Sequence, residues 1–316
     1  MITKGVNCMP KQRNLVIDRF RGGVIMFMVV GNDMANVAGF PAIFRHAPHD
    51  RAFTLADMGS KFFIFAIAAT YAMSFNRRAA AGSKKDAYFH FVSRYLAIMG
   101  LGALFGVFNA AWTGDTVWGT LHNIGLAGLM TLLVIRLPAW ARALAGLAVL
   151  AANQLLFHFA PGQFTGEIGA VLEGLSMAAA LMLSTVMVEL FNKGMKPFLI
   201  GTGVLSLAAW VPILAGIVPF TKRNMISFIL ASVSVACVLY LIAELASKAL
   251  PKRPGLICWW GENPMLLYIL HLMLTGAAMA LDPRPMWLAI PVDLAILSIL
   301  SLIAWQLHRK KLQISF

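Results

Sequence analysis

An all-α, polytopic helix bundle embedded in a bilayer is the fold class this sequence predicts, and three observations predict it. The 316-residue chain is 59% hydrophobic and only 12% charged, with a mean hydropathy of +0.76; soluble domains sit near roughly 45–50% apolar and about 25% charged. Apolar runs of about the 20 residues that a spanning helix needs recur along its whole length. Its basic residues lie between those runs and are denser in alternate gaps, as membrane topology demands. A soluble globule and a disordered chain are excluded. So is a nucleic-acid binder, although the net charge is +13. The three cysteines form neither a disulfide framework nor a metal spacing, so no metal site is expected.

About ten transmembrane helices follow from the runs 15–38, 54–75, 90–109, 117–135, 138–157, 168–190, 197–219, 226–247, 263–281 and 286–306. The first follows a short polar stretch, Met1 to Asn14, and reads as a retained anchor rather than a cleaved signal peptide. The second and fourth open on polar clusters, Thr54 to Lys61 and Trp118 to Asn123. The fifth and seventh open on turn-forming prolines, Pro138 and Pro197, and the tenth is preceded by Pro283-Arg284-Pro285; Pro161-Gly162 and Pro251 mark two further gaps. Lengths near 20 without strict alternation exclude barrel strands, and a helix satisfies its own backbone polar groups in lipid. Neither a repeat nor a separate soluble domain is visible, so residues 1–316 read as one transmembrane domain.

With an even number of spans both termini share a side. An N-in, C-in arrangement leaves Arg45, Arg51, Lys61, Lys222, Arg223 and Arg284 outside and the other 20 of the 26 basic residues inside, the asymmetry expected of a cytoplasmic face. Trp112, Trp118 and Trp287 then fall at the outer interface, and Trp140, Trp259, Trp260 and Trp305 at the inner one. The expected location is the inner membrane of a bacterium.

Polar residues inside lipid are costly and mark function, and here they cluster. Asn32, Asp33 and Asn36 end the first span; Arg45, His46, His49, Asp50 and Arg51 lie in the following loop. Thr54, Asp57, Ser60 and Lys61 open the second span, and Trp118, His122 and Asn123 the fourth. By topology all share the outer leaflet and converge on one cavity. The ordinary readings are a loop histidine at His46, an i,i+4 ion pair between Asp57 and Lys61, a helix-to-helix hydrogen bond for His271 in LYILHLML, and a local pair for Asp18 and Arg21.

The motifs are more specific than that. The stretch Ile17 to Asn32 (IDRFRGGVIMFMVVGN) carries Asp18, Phe20, Arg21, Gly22 and Asn32. The segment RHAPHDRAFTLADMGSKFF carries His46, Ala47, Thr54, Ala56 and Asp57, and GENPMLLY begins at Gly261. Together they resemble the heparan-α-glucosaminide N-acetyltransferase family of transmembrane acyltransferases, in a bacterial-type form lacking the lumenal domain. The chain departs from the family pattern at His49-Asp50, Ser60-Lys61 and Leu121-His122-Asn123.

The resemblance implies Asn32 and His46 as a catalytic pair, with Asp57 fixing the histidine tautomer. A histidine can act as base near neutral pH, and an asparagine amide can donate to a developing oxyanion. It implies acetyl-CoA as donor substrate rather than a resident cofactor, its phosphates met by Arg21, Arg77 and Arg78. The departing positions His49, Asp50, His122 and Asn123 are then the acceptor contacts. The expected function is transfer of an acetyl or short acyl group from cytosolic acyl-CoA to an amine or hydroxyl of a sugar or glycolipid acceptor at the outer face. The pantetheine arm would thread the bundle. The expected partners are acyl-CoA, that acceptor, the lipid bilayer and a second copy in a homodimer, but no nucleic acid. The alternative is a transporter or flippase of a polar lipid or sugar intermediate.

Overall fold

The computed structural model describes residues 14–35, 37, 39–47, 52–113, 117–217, 226–279 and 284–314, the side chains of 108–113 and 279 excepted. Within them the chain forms α1 (Leu15–Asp33), α2 (Leu55–Ala81), α3 (Lys84–Thr113), α4 (Thr120–Val134), α5 (Ala139–Phe159), α6 (Gly166–Lys193), α7 (Met195–Leu214), α8 (Ile226–Ala249), α9 (Leu256–Glu262), α10 (Pro264–Met279) and α11 (Met286–Arg309), with short 3-10 turns at Ala42–Phe44 and Pro161–Phe164 and no strand. Ten of these helices are the ten runs read from the sequence. The addition is α9, seven residues in what reads as a gap. Helices α2, α3, α5, α6, α7, α8 and α11 are each long and apolar enough to cross a bilayer, and α4 and α10 are shorter apolar helices.

Local chemistry sets the boundaries. Asn14 caps α1, its side chain accepting from the Val16 amide at 3.0 Å. Thr54 caps α2 in a reciprocal capping box with Asp57, satisfying donors that a helix start leaves open. Gly194 joins α6 to α7 at φ +142°, a backbone conformation that favours glycine.

The packing puts α2 and α6 at the centre and α3, α5, α7 and α11 at the periphery. Peripheral helices turn large apolar side chains outward, among them Leu104, Leu144, Leu207 and Leu302, a surface that suits lipid and not water. Where two helices need close approach the residues shrink. At the crossing of α1 and α9, a Cβ on Gly22 would lie 1.9 Å from the Ile257 carbonyl oxygen, and one on Gly261 would lie 1.9 Å from that of Asp18. The Phe-Arg-Gly and Trp-Gly-Glu-Asn segments are thus two halves of one contact.

Three residues depart from the expected placement. Trp260 is buried in the core, its indole N–H donating to Ser301 Oγ at 3.1 Å, rather than standing at an interface. Arg142 and Arg284, counted among the loop charges, are buried. Arg142 donates to Thr185 Oγ1 at 2.9 Å and pairs with Glu189; Arg284 pairs with Asp33 at 3.3 Å. Charge alone located them, and charge does not distinguish a solvated loop from an internal pair.

Gly261→Ala is expected to lower stability by at least about 1–3 kcal/mol, because the intruding methyl meets backbone that must move. Gly23→Ala, whose Cβ meets nothing within 4 Å, is expected to change it by no more than about 0.5 kcal/mol. Thermal unfolding in nanodiscs compares the two; equal midpoints would contradict the close-approach account.

Candidate active site

The site grows from the start of α2. One carboxylate organises it: Asp57 Oδ2 accepts from the Thr54 amide at 2.9 Å and the Ala47 amide at 3.3 Å, while Oδ1 lies 3.0 Å from His46 Nδ1. The Thr54 hydroxyl donates to the Arg45 carbonyl at 2.7 Å. The loop carrying His46 is therefore tied down on both sides of the histidine. Asp57 is buried, and a buried carboxylate with these donors is held as an acceptor. Its partner nitrogen on His46 must then carry the proton, leaving Nε2 as the lone-pair nitrogen. The His46 side chain is 45% exposed, so Nε2 is reachable.

Asn32 ends α1 beside this loop. Its amide Nδ2 lies 3.0 Å from His271 Nε2 of α10, so the helix-to-helix bond expected of His271 is made, and made to a candidate catalytic residue. The next residue, Asp33, holds α1 from the other side: Arg284 donates to its carbonyl oxygen at 2.9 Å and to Oδ1 at 3.3 Å.

These groups share a cavity of about 790 Å³, lined by Asn32, His46, Asp57, Ser60, Lys61, Trp118 and Thr120 among others. The clusters on the first, second and fourth spans do converge. Lys61 does not pair with Asp57: its ammonium lies 3.4 Å from Glu173 Oε1 on α6 and 4.7 Å above the Phe228 ring. Asp57 is already engaged with the loop, and Glu173 is the carboxylate across the cavity. His122 and Asn123 are not among the lining residues. His122 Nδ1 accepts from the Gly119 amide at 3.2 Å and its ring stacks on Trp118; Asn123 Oδ1 accepts from the Trp118 indole at 2.6 Å. Both stand behind Trp118, which does face the cavity. His49, Asp50, Arg51 and Asn36 lie outside the described residues. Sequence reading missed Glu173, Tyr268 and Phe228 on the opposite wall; an acidic residue inside the apolar run 168–190 was the available signal for the first.

A second cavity, of about 530 Å³, lies at the other end of α1 and α2. Arg21, Arg77 and Arg78 all line it, joined by Arg94, His90 and Tyr95 of α3. Arg21 reaches across to α2, donating to the Ala66 carbonyl at 3.2 Å and to Thr70 Oγ1, while Asp18 stands on the same wall. Arg21 and Asn32 are eleven residues apart on α1, about 16 Å at the α-helical rise. The linings of these two cavities meet at one pair of rings. Phe63 lines the second and Tyr268 the first, and their buried rings stack with centroids 6.0 Å apart at 16°.

Residues 13–164 match the family model described as heparan-alpha-glucosaminide N-acetyltransferase, catalytic, which spans every motif matched on the first and second helices. The match supports the family assignment made from those motifs. Together with the apolar helices, it supports an integral membrane protein whose residues 13–164 are similar to the catalytic region of an acetyltransferase family. No curated protein matches the chain.

Asp57→Ala removes the acceptor for two loop amides and the histidine. Each unmade buried hydrogen bond costs about 1–3 kcal/mol, so hydrogen exchange of the Ala47 and Thr54 amides is expected to accelerate by at least about tenfold. Exchange mass spectrometry reads this directly; unchanged protection would show that the loop is held by something else.

Proposed function

Starting from a chain whose residues 13–164 carry the heparan-α-glucosaminide N-acetyltransferase catalytic match, we propose that it moves an acetyl or short acyl group from acyl-CoA to an amine or hydroxyl of a sugar or glycolipid acceptor, with His46 as base. The observation that carries this reading is the His46–Asp57 contact. It fixes the imidazole with Nδ1 toward the carboxylate at 3.0 Å and leaves Nε2 to a cavity that Asn32 also lines.

The steps balance on these groups. The acceptor nitrogen or oxygen attacks the thioester carbonyl carbon while its proton passes to His46 Nε2. The carbonyl oxygen gains charge and takes a hydrogen bond from the Asn32 amide. The C–S bond then breaks, and the imidazolium returns its proton to the departing sulfur. Asp57 stays ionised throughout and holds the imidazolium form, as the third member of a triad does.

The walls suit a hydroxyl-rich acceptor. Glu173, Ser60 and Thr120 supply polar contacts among Phe27, Trp118, Phe164 and Tyr268, the mixture of apolar lining and few placed polar groups typical of small-molecule sites. The arginine-lined cavity suits the donor's phosphates, for which guanidinium has the charge and fork geometry. A pantetheine arm then covers the stretch from Arg21 to Asn32 past the Phe63–Tyr268 stack. With N-in, C-in topology in a bacterial inner membrane, donor and acceptor come from opposite sides.

The test is CoA release by the purified protein in nanodiscs, with acetyl-CoA and an amino sugar as probes. His46→Ala is expected to reduce kcat by about 10²–10⁴-fold and Asn32→Ala by about 10²–10³-fold. Equal release by His46→Ala and wild type would overturn the reading. Arg77→Ala and Arg78→Ala together are expected to raise KM for acetyl-CoA by about tenfold or more, since hydrogen bonds to charged groups contribute about 1.5–3 kcal/mol, and to leave KM for acetyl-pantetheine unchanged. An equal rise for both donors would move the phosphates elsewhere.

A further inference from the structure

A free asparagine side chain offers its two ends almost indifferently. The torsion that turns the carboxamide is broad, and a half-turn exchanges a donor for an acceptor at nearly the same place. An asparagine that must donate to an oxyanion therefore needs a neighbour that distinguishes oxygen from nitrogen. His271 has the connections to do so. It is buried at 0% exposure in α10, where no bulk water competes for its ring nitrogens. Nδ1 lies 2.6 Å from the Tyr268 carbonyl oxygen, which can only accept, so Nδ1 carries the proton. Nε2 is then a lone pair, and what faces it at 3.0 Å is the Asn32 amide nitrogen. Rotating the carboxamide by half a turn would set Oδ1 against that lone pair, acceptor against acceptor.

We propose that His271 is the positioning residue for Asn32: its Nε2 lone pair selects the one carboxamide orientation in which the second Nδ2 hydrogen is offered to the reacting carbonyl oxygen. The inference rests on the acyltransferase reading above. His271 touches no reacting atom and acts only through Asn32. The order in the chain runs from the Tyr268 carbonyl, through the imidazole tautomer, to the amide. Tyr268 lines the cavity and stacks on Phe63 of the second one, so the residue at which the two linings meet also sets the tautomer. A plain helix clamp would need only that the Asn32–His271 bond join α1 to α10. It would not need the bond's direction.

The two accounts separate on kinetics. His271→Phe keeps the ring and removes the lone pair; His271→Gln keeps an acceptor oxygen on a flexible arm. Each is made alone and combined with Asn32→Ala, and CoA release from acetyl-CoA to the amino sugar is measured in nanodiscs, beside the thermal midpoint. The expected result is a fall in kcat of ten- to a hundredfold for His271→Phe with KM within about twofold, partial recovery in His271→Gln, and less than a twofold further loss when His271→Phe is added to Asn32→Ala. Full activity in His271→Phe, or losses that multiply in the double variant, would overturn the proposal. If His271→Phe does not fold, His271→Gln carries the same cycle, and its loss must likewise vanish on Asn32→Ala. Activity lost in His46→Ala and Asn32→Ala but kept in the His271 variants removes the positioning role alone. Activity kept in His46→Ala removes the acyltransferase reading, and this inference with it.

Discussion

A carboxylate in a membrane protein is expensive to bury and, once buried, demands donors. Asp57 meets that demand with groups that would otherwise be loose: the amides of Ala47 and Thr54 and the imidazole of His46. The desolvation of one charge thereby fixes the helix start, the loop conformation and the histidine tautomer together. Remove the charge and all three lose their common reference. The rest of the cavity is built against that fixed edge, Asn32 from α1, Lys61 from the next turn of α2 and Glu173 from α6.

The same economy recurs across the bundle. Arg142 with Glu189, Arg284 with Asp33 and Lys61 with Glu173 each join different parts of the chain through a charge contact. Such pairs are weak evidence for stability, because desolvation offsets much of the attraction. They are stronger as register marks: apolar helices slide past one another at little cost, and an ion pair admits only one alignment. Gly22 and Gly261 do the corresponding work sterically, since a crossing that tolerates no Cβ admits one depth of packing.

The spans were legible because a bilayer imposes a length, and ten runs near that length are hard to produce by chance. Helix α9 was not: seven residues of Leu-Ile-Cys-Trp-Trp-Gly-Glu have no period long enough to read, and only its packing on α1 makes it an element. At the site, Asn32, His46 and Asp57 were readable from their motifs, and Thr54 with Asp57 follows the local rule of a capping box. What failed was any rule that looks only along one helix. Four-residue spacing assigned Lys61 to Asp57, whereas its partner lies 112 positions away on α6. The bond from His271 to Asn32 joins residues 239 positions apart; a helix-to-helix bond was the ordinary reading of His271, but nothing in the sequence named its partner. His122 and Asn123 look like cavity residues because they follow Trp118, yet Trp118 precedes α4 and both side chains engage its indole instead of the cavity.

Two water-accessible hollows set end to end in one bundle are, to an electrochemical gradient, most of a pore. Each 100 mV across the bilayer is worth about 2.3 kcal/mol to every ion that slips through, so a membrane cannot tolerate a bundle that conducts through such hollows. The rings of Phe63 and Tyr268, both buried to within a few per cent and stacked on each other, stand where the lining of one hollow meets that of the other, and two ring faces are poor replacements for an ion's water shell.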